Sequence, residues 1–394
     1  MILRAQSKEA SVYDAIVVGA RVAGSPLAML LARKGYKVLL LDRDTFPSDI
    51  MSTHYIHLPG QARLQQWGLL DSVIDTGAPW IKQRTLHFND MSFSPPDLPV
   101  PPGYSTDTLC PRRYALDKIL VDAAVKAGAE LREGASVREL IREGDTVVGV
   151  RGHVGGESFE ERARIVIGAD GMHSLVAREV RPEEYDCHPT MSYGYYTYWT
   201  GVEDTGMHIY FFTEGEGGGI LVFPTNDGKH CIGVGGPIES FHGFREDIEG
   251  NYLRVLEKVP HLAEQVKHGE REKFLGTADQ PNFFRKPYGP GWALTGDAGY
   301  HRDFLTGLGI NDAFLQAELL SEALNVAWSG DATYEEALSE FQKKRDDYVK
   351  PCYDATIKMA SGQFTDLTGF LEFGLAMTRQ FPATAPAEPQ ATQA

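Results

Sequence analysis

The chain is poor in cysteine, in positive charge and in long apolar runs, and each shortage closes a class of function. Its 394 residues include only four cysteines, Cys110, Cys187, Cys231 and Cys352, with no C-x-x-C pair. That spacing offers neither a metal-ligand set nor a disulfide framework, so four reduced thiols and no metal are expected. Lys and Arg number 38 against 54 Asp and Glu, for a formal net charge of −16, and no basic run stands out. Binding to nucleic acid needs a basic face, so no nucleic-acid partner is expected. The same balance disfavours an anionic membrane surface. The longest apolar stretches, AIVVGA and KVLLLD, fall far short of the roughly 20 residues that cross a bilayer. The polar start MILRAQSKEASVYD lacks the apolar segment of a signal peptide. A cytoplasmic protein with no membrane partner is therefore expected.

Hydrophobic residues make up 42% of the chain, enough for more than one ordinary core. DAIVVG at 14–19 reads as a buried strand, 22–35 as an apolar helix stopped by Gly35, and KVLLLD at 37–42 as a second buried strand. Residues 60–76 suggest a helix, and the proline-rich 94–104 a loop. An amphipathic helix is expected over 114–127, strands around 136–150 and at 163–169, and one more buried strand at 291–296. Between 190 and 236, aromatics alternate with small residues around a glycine cluster, a pattern of antiparallel sheet. Helices are expected over 308–328 and 333–360, and disorder in the Pro/Ala/Gln-rich tail 381–394. No internal repeat is visible.

Three motifs carry chemistry. The first is Gly19-Ala20-Arg21-Val22-Ala23-Gly24, between a strand and a helix. Gly19 permits the tight turn, Gly24 permits close helix–sheet packing, and the free amides of the first helical turn, Ala23 among them, suit a pyrophosphate. Asp42, with Arg43 beside it, closes the second strand where an acid can accept both hydroxyls of a ribose. Arg21 stands where a second glycine is usual; it removes backbone room but offers a guanidinium for phosphate. The second motif is Gly168-Ala169-Asp170-Gly171. The third is Gly296-Asp297-Ala298, followed by Gly307-Leu308-Gly309-Ile310-Asn311 at a helix start. An aspartate ending a strand can bind a polyol, and a glycine-rich helix start can bind a pyrophosphate or the electron-rich edge of a flavin.

The order of these motifs over roughly 12–330 resembles the p-hydroxybenzoate hydroxylase-like, group A flavoprotein monooxygenases, a family related to flavin-dependent halogenases and geranylgeranyl reductases. The resemblance implies an α/β fold. A Rossmann-type, GR2-like FAD-binding domain is interleaved with a mostly antiparallel β-sheet substrate domain, and a helical C-terminal region follows. The implied division is 12–186 for the first FAD-binding part with a substrate-domain insert near 75–110, 187–285 for the substrate sheet, and 286–380 for the second FAD-binding part and C-terminal helices. FAD would be held by Gly19, Arg21, Ala23, Gly24, Asp42, Arg43, Arg113, Asp170, Gly296, Asp297, Gly307, Gly309, Ile310 and Asn311. Phe304 replaces a proline usual beside the flavin.

The implied reaction is hydroxylation or epoxidation of an aromatic or polycyclic molecule. NADPH or NADH reduces FAD, and O2 is then activated as a flavin C4a-hydroperoxide. The substrate wall would draw on Tyr196, His208, Tyr210, Phe212, Phe223 and Phe304, with Tyr193 and Trp199 as further candidates. His57, and His54 near it, follow the second strand on the flavin side, where a histidine can act as a base or serve only as a loop residue; His57 is the candidate catalytic group. One Rossmann fingerprint and no nicotinamide domain fit transient nicotinamide binding; a separate flavin reductase is the other source of electrons. A monomer or homodimer is expected. The W-x-W-x-I-P motif of halogenases is absent, while Leu221-Val222-Phe223-Pro224 resembles a prenyl-reductase stretch, so alkene reduction stays open. A cyclase or binding protein with structural FAD stays open too.

Overall fold

The computed structural model describes residues 12–212, 217–362 and 367–382. The chain opens with β1 (Tyr13–Val18), α1 (Gly24–Arg33) and β2 (Val38–Leu41). Both strands are apolar and almost wholly buried, as parallel strands covered on both faces must be. α2 (Leu58–Trp67) and α3 (Leu70–Ile74) take the place of the single helix suggested over 60–76. Gly68, at φ +76°, turns the chain into the left-handed region and ends α2. Four short strands follow, β3 (Trp80–Ile81), β4 (Arg84–Phe88), β5 (Met91–Phe93) and β6 (Thr108–Leu109), with the proline-rich loop between the last two.

α4 (Arg113–Ala127) leads to β7 (Glu130–Arg132), β8 (Ala135–Glu143), β9 (Thr146–Val154), β10 (Glu157–Gly168) and α5 (Leu175–Val180). β11 (Glu184–His188), β12 (Ser192–Trp199), β13 (Met207–Phe211), β14 (Gly219–Pro224) and β15 (His230–Pro237) form most of the second half's sheet structure. Three helices that the sequence pattern did not suggest come next, α6 (Phe241–Glu246), α7 (Ile248–Leu256) and α8 (Pro260–Val266). The chain closes through β16 (Leu275–Thr277), β17 (Asn282–Arg285), β18 (Tyr288–Gly289), β19 (Trp292–Leu294), β20 (Tyr300–His301), α9 (Gly309–Ser329), α10 (Tyr334–Ala360) and α11 (Leu367–Thr378).

The first sheet runs β18-β19-β10-β1-β2-β7. β1 pairs in parallel with β2 and β10, and β10 in parallel with β19. One face packs on α1, α4 and α9 through residues such as Val17, Leu27, Leu120, Ile167 and Phe314. The other face carries Ile16, Leu39, Val150, Val176 and Leu294. All three motif turns thus lie at the C-terminal ends of neighbouring parallel strands, where α/β sheets bind ligands.

The second sheet runs β16-β12-β15-β14-β13-β4-β5. It is antiparallel except for the β13–β4 pair, so the segment near 75–110 contributes two of its strands. One face is covered by α6–α8 through Phe244, Tyr252, Leu256, Leu262 and Val266. The opposite face looks toward the first sheet. α10 begins with a capping box, Thr333 with Glu336, and α11 packs its Phe373 and Met377 with Leu98, Leu308 and Cys352. Among the described residues, no helix is long and apolar enough to cross a membrane, and all four cysteines are free. From residue 383 on, the expected disordered tail lies outside the described residues.

Candidate functional site

A cavity of about 1630 Å³ runs between the two sheets, and every motif turn opens into it. Ligand pockets commonly hold roughly 300–1,000 Å³, so this one has room for a dinucleotide and a second molecule.

At its nucleotide end, Gly19 has φ +103°, and a Cβ there would sit 2.4 Å from the Ala169 carbonyl oxygen. The β1 and β10 turns therefore meet backbone to backbone, which a side chain would prevent. A Cβ on Gly24 would lie 1.8 Å from the Gly19 carbonyl oxygen, so α1 starts directly behind the turn. No side chain caps α1. The Ser25 amide donates to the Arg21 carbonyl at 3.0 Å and Pro26 has no N–H, so the donors left for an anion lie at the very start of the helix, at Gly24 and the turn before it. The buried Asp42 accepts from the Ala20 amide at 2.6 Å and from the Asp44 amide at 2.9 Å. Burial raises its pKa, against the pull of those two amides and Arg21. Arg43, beside it, is exposed and lines the cavity.

Arg21 also lines the cavity, but its fork is committed elsewhere. It donates to Asp117 at 2.7 Å, to Asp44 at 2.8 Å and to Ser48 Oγ at 3.1 Å. Arg113 holds the same Asp117 through two bonds, at 2.9 and 3.1 Å. The expected direct role of Arg21 on phosphate becomes that of a clasp: the buried Asp117 ties the α1 turn to the start of α4.

At the flavin end, Gly296 (φ +60°) comes so close to α1 that a Cβ would meet the Ala23 Cβ at 2.7 Å. Asp170 accepts from the Leu175 amide at 2.7 Å, and burial raises its pKa. Asp297 is exposed in the cavity. Gly307 takes φ +62°, and α9 begins at Gly309 without a side-chain cap, so its first amides face the cavity beside Ile310. These features fit FAD. Uncapped α1 amides and Asp42 would take the pyrophosphate and adenosine ribose, Asp297 the ribityl chain, and the α9 start the flavin ring. Asn311 departs from expectation. One residue round the helix from Ile310, its side chain turns onto Gly60 of α2, where a Cβ would lie 2.3 Å from Asn311 Oδ1, and it does not line the cavity.

His57 precedes α2 and bonds through Nε2 to the Thr306 carbonyl at 2.9 Å. A carbonyl can only accept, so Nε2 carries the proton and Nδ1 keeps its lone pair. Burial, then Arg302 and Arg84, push the pKa of His57 down to about 3 despite the Thr306 bond; at neutral pH it is an uncharged acceptor. His54 lies one shell back, wholly buried, accepting or donating to the Tyr198 hydroxyl at 2.9 Å and packed on Phe223. It does not line the cavity.

The second sheet supplies the opposite wall, in rows fixed by its register. One row is Tyr196, Gly233, Leu221, Ile209 and Leu86; the next is Gly194, Gly235, Gly219, Phe211 and Phe88. Tyr196, Phe223 and Phe304 line the cavity as expected, and Tyr196 accepts from the Ser52 amide at 3.0 Å. His208 is a correction. Strand alternation turns it to the helix-covered face, where it bonds His87 at 3.0 Å and Thr205 at 2.9 Å. Tyr210 and Phe212 share that parity. Both touch the cavity wall, but the Tyr210 ring stacks on His87 at 4.1 Å and its hydroxyl reaches toward His261, while Lys258 sits over Phe212 at 4.7 Å. Tyr193 and Trp199 belong to the same helix-side core. The sequence reading passed over Arg84, Arg302, Leu98, Phe373 and Met377, all cavity residues. The apolar stretch Leu371–Met377 was the signal available for the last two.

The chain is 28% identical over 378 residues to digeranylgeranylglycerophospholipid reductase 2 of Methanopyrus kandleri, covering 90% of this chain and 87% of the relative. In fold it is similar to a flavin-dependent brominase, with a TM-score of 0.81 at 19% identity and 95% and 96% coverage of this chain and that one. It is also similar to the myxobacterial chondrochloren halogenase, with a TM-score of 0.79 at 22% identity and 87% and 81% coverage. The model of the FAD binding domain family matches residues 12–356. The chain belongs to that family, and it is an FAD-dependent oxidoreductase.

Proposed function

We propose that the chain is a monooxygenase that uses NADPH or NADH and O2 to oxygenate an apolar, largely flat molecule. The observation that supports this reading best is the continuity of the cavity: the FAD motifs and an apolar sheet wall line one space. Bound FAD supplies hydride acceptance from the nicotinamide and, once reduced, activation of O2. The residues of the chain bind, orient and exclude water. Leu86, Phe88, Phe211, Leu221 and Phe223 offer an apolar surface to a ring, and Phe304 narrows the space beside the α9 start. Leu98, Phe373 and Met377 close the far side against solvent. His57, neutral and with Nδ1 unprotonated, can accept a hydrogen bond from a substrate hydroxyl and so orient it, but a pKa held near 3 makes it too weak a base to take the proton.

A second reading is reduction of an alkene, and it rests on the relatives named digeranylgeranylglycerophospholipid reductase. The two part on the product. With reduced nicotinamide, air and a panel of phenols and polyenes, oxygenation yields a product heavier by one oxygen and consumes O2. Reduction yields a product heavier by two hydrogens without O2 uptake coupled to product. The second result, or no turnover with any panel member, would sink the monooxygenase proposal.

A further inference from the structure

The apolar reading leaves one end of the cavity unexplained. Arg84, on the cavity face of β4, lines it with a side chain only 20% exposed. Its carboxylate partner is Asp97, 3.6 Å away and itself 80% exposed, and its contact with the Thr106 carbonyl is long at 3.4 Å. Of the other cavity-side arginines, Arg21 is held at short range by Asp117 and Asp44 and Arg113 by Asp117, while Arg43, Arg138 and Arg178 are exposed to solvent. Arg302 lies at the same end, 4% exposed. It gives one N–H to Asp312 at 2.6 Å, while its Nε and Nη1 find no oxygen or nitrogen acceptor among the described residues. Tyr55 and His57 lie nearby with their rings 4.4 Å apart; the Tyr55 hydroxyl interacts with Arg84, and His57 feels both guanidinium groups. Asp312 is used by Arg302, and among the described residues the carboxylate on Arg84 is the solvent-exposed Asp97 at 3.6 Å, a long and weak pair that leaves the guanidinium open to a closer anion. A cation in an apolar, water-poor space is costly unless paired.

We infer that Arg84 is the anchor for an acidic group on the substrate, so that the substrate class is an apolar carboxylic acid. The carboxylate seats on the Arg84 fork, within reach of the Tyr55 hydroxyl and in the field of Arg302. The apolar body lies along Leu86 and Phe88. A guanidinium fork matches a carboxylate through two parallel hydrogen bonds, which an ester or alcohol cannot reproduce. The inference rests on the reading of this cavity as the substrate site, and it makes Arg84 a specificity determinant rather than a catalytic residue.

The test is a binding measurement that needs no turnover. FAD-loaded protein is titrated by calorimetry with 2-naphthoate, methyl 2-naphthoate, decanoate and methyl decanoate, and the titrations are repeated with Arg84→Met and Arg84→Lys. At least one acid should bind ten-fold or more tighter than its ester. Arg84→Met should abolish that difference while leaving the ester's Kd within two-fold, and Arg84→Lys should restore part of it. Acids that bind no tighter than their esters, acids that do not bind at all, or an Arg84→Met protein that keeps the preference would each overturn the anchor. Oxygen uptake by the same samples with NADPH reports separately on the proposed reaction. A charge preference without uptake keeps the anchor and removes the oxygenase; uptake without preference does the reverse.

Discussion

The ring of Phe304 lies directly over Gly194, so close that a Cβ on Gly194 would meet the Phe304 Cζ at 2.5 Å. Phe304 sits at the flavin end of the cavity, and Gly194 begins the bare row Gly194-Gly235-Gly219 on the opposing sheet. The large residue on one wall is accommodated by the missing side chain on the other. Gly194→Ala should therefore displace the ring and cost about 1–3 kcal/mol by overpacking. Phe304→Ala in the same chain should relieve most of that cost. A double-mutant cycle by urea unfolding checks it; additive effects would show that the two residues do not bear on each other.

FAD retention tests the two ends of the cofactor site. Gly19→Ala places a Cβ against the Ala169 carbonyl in a backbone conformation that only glycine adopts easily, and the purified protein should carry little flavin. Asp297→Ala removes a carboxylate that faces the cavity. It should weaken FAD binding by about 1.5–3 kcal/mol, the usual worth of a hydrogen bond to a charged group. The flavin-to-protein absorbance ratio reads both, and full occupancy in either variant would remove that residue from the site.

His54 gives a pH dependence with a defined sign. It is wholly buried, and burial, followed by Arg112 and Arg113, holds its pKa at about 3. The unfolded chain binds a proton at this residue near pH 6.5, so stability is complete above that pH and is lost as the pH falls toward 3. At pH 4.5 the loss is about 2–3 kcal/mol. Asp312, raised by burial to about 6, works in the opposite direction, so the comparison must be made against a variant. His54→Gln should lose less stability than the parent between pH 7.5 and 4.5, measured by urea midpoints. Equal losses would mean that His54 is protonated in the folded state.

Phe373 and Met377 on α11 face the cavity, and Gly374 packs on Leu98 so tightly that a Cβ would lie 2.6 Å from its Cδ2. If this contact keeps water from the reacting centre, Phe373→Ala should raise the share of NADPH oxidation that ends in hydrogen peroxide rather than product. An unchanged ratio of product to NADPH would assign α11 a purely structural part.

The nucleotide half of the site was legible because its signals are local. Gly19, Gly24, Asp42, Gly296 and Gly307 each answer to a backbone need within a few residues, and strand, turn and helix are written in short apolar periods. The substrate half was less legible because it depends on which face of a strand points where. His208 and Tyr196 look alike in an aromatic-rich sequence, and only the register of β12 and β13 separates them. Arg84 gave no signal at all, since its meaning lies in how loosely the exposed Asp97 holds it across a loop. Helices α6–α8 were missed because none is long enough to establish a period, and Gly68 hid a break that periodicity bridged. Arg21 was seen, but its partner Asp117 lies 96 positions away.

The most direct test of the proposed reaction is an anaerobic titration of the FAD-loaded protein with NADPH and NADH, with and without apolar acids and phenols, followed by admission of air and mass analysis. The proposal predicts flavin bleaching that one ligand accelerates, then a product heavier by one oxygen atom. A flavin that stays oxidised with both nicotinamides and every ligand, or one that reoxidises in air with no oxygenated product, would contradict it.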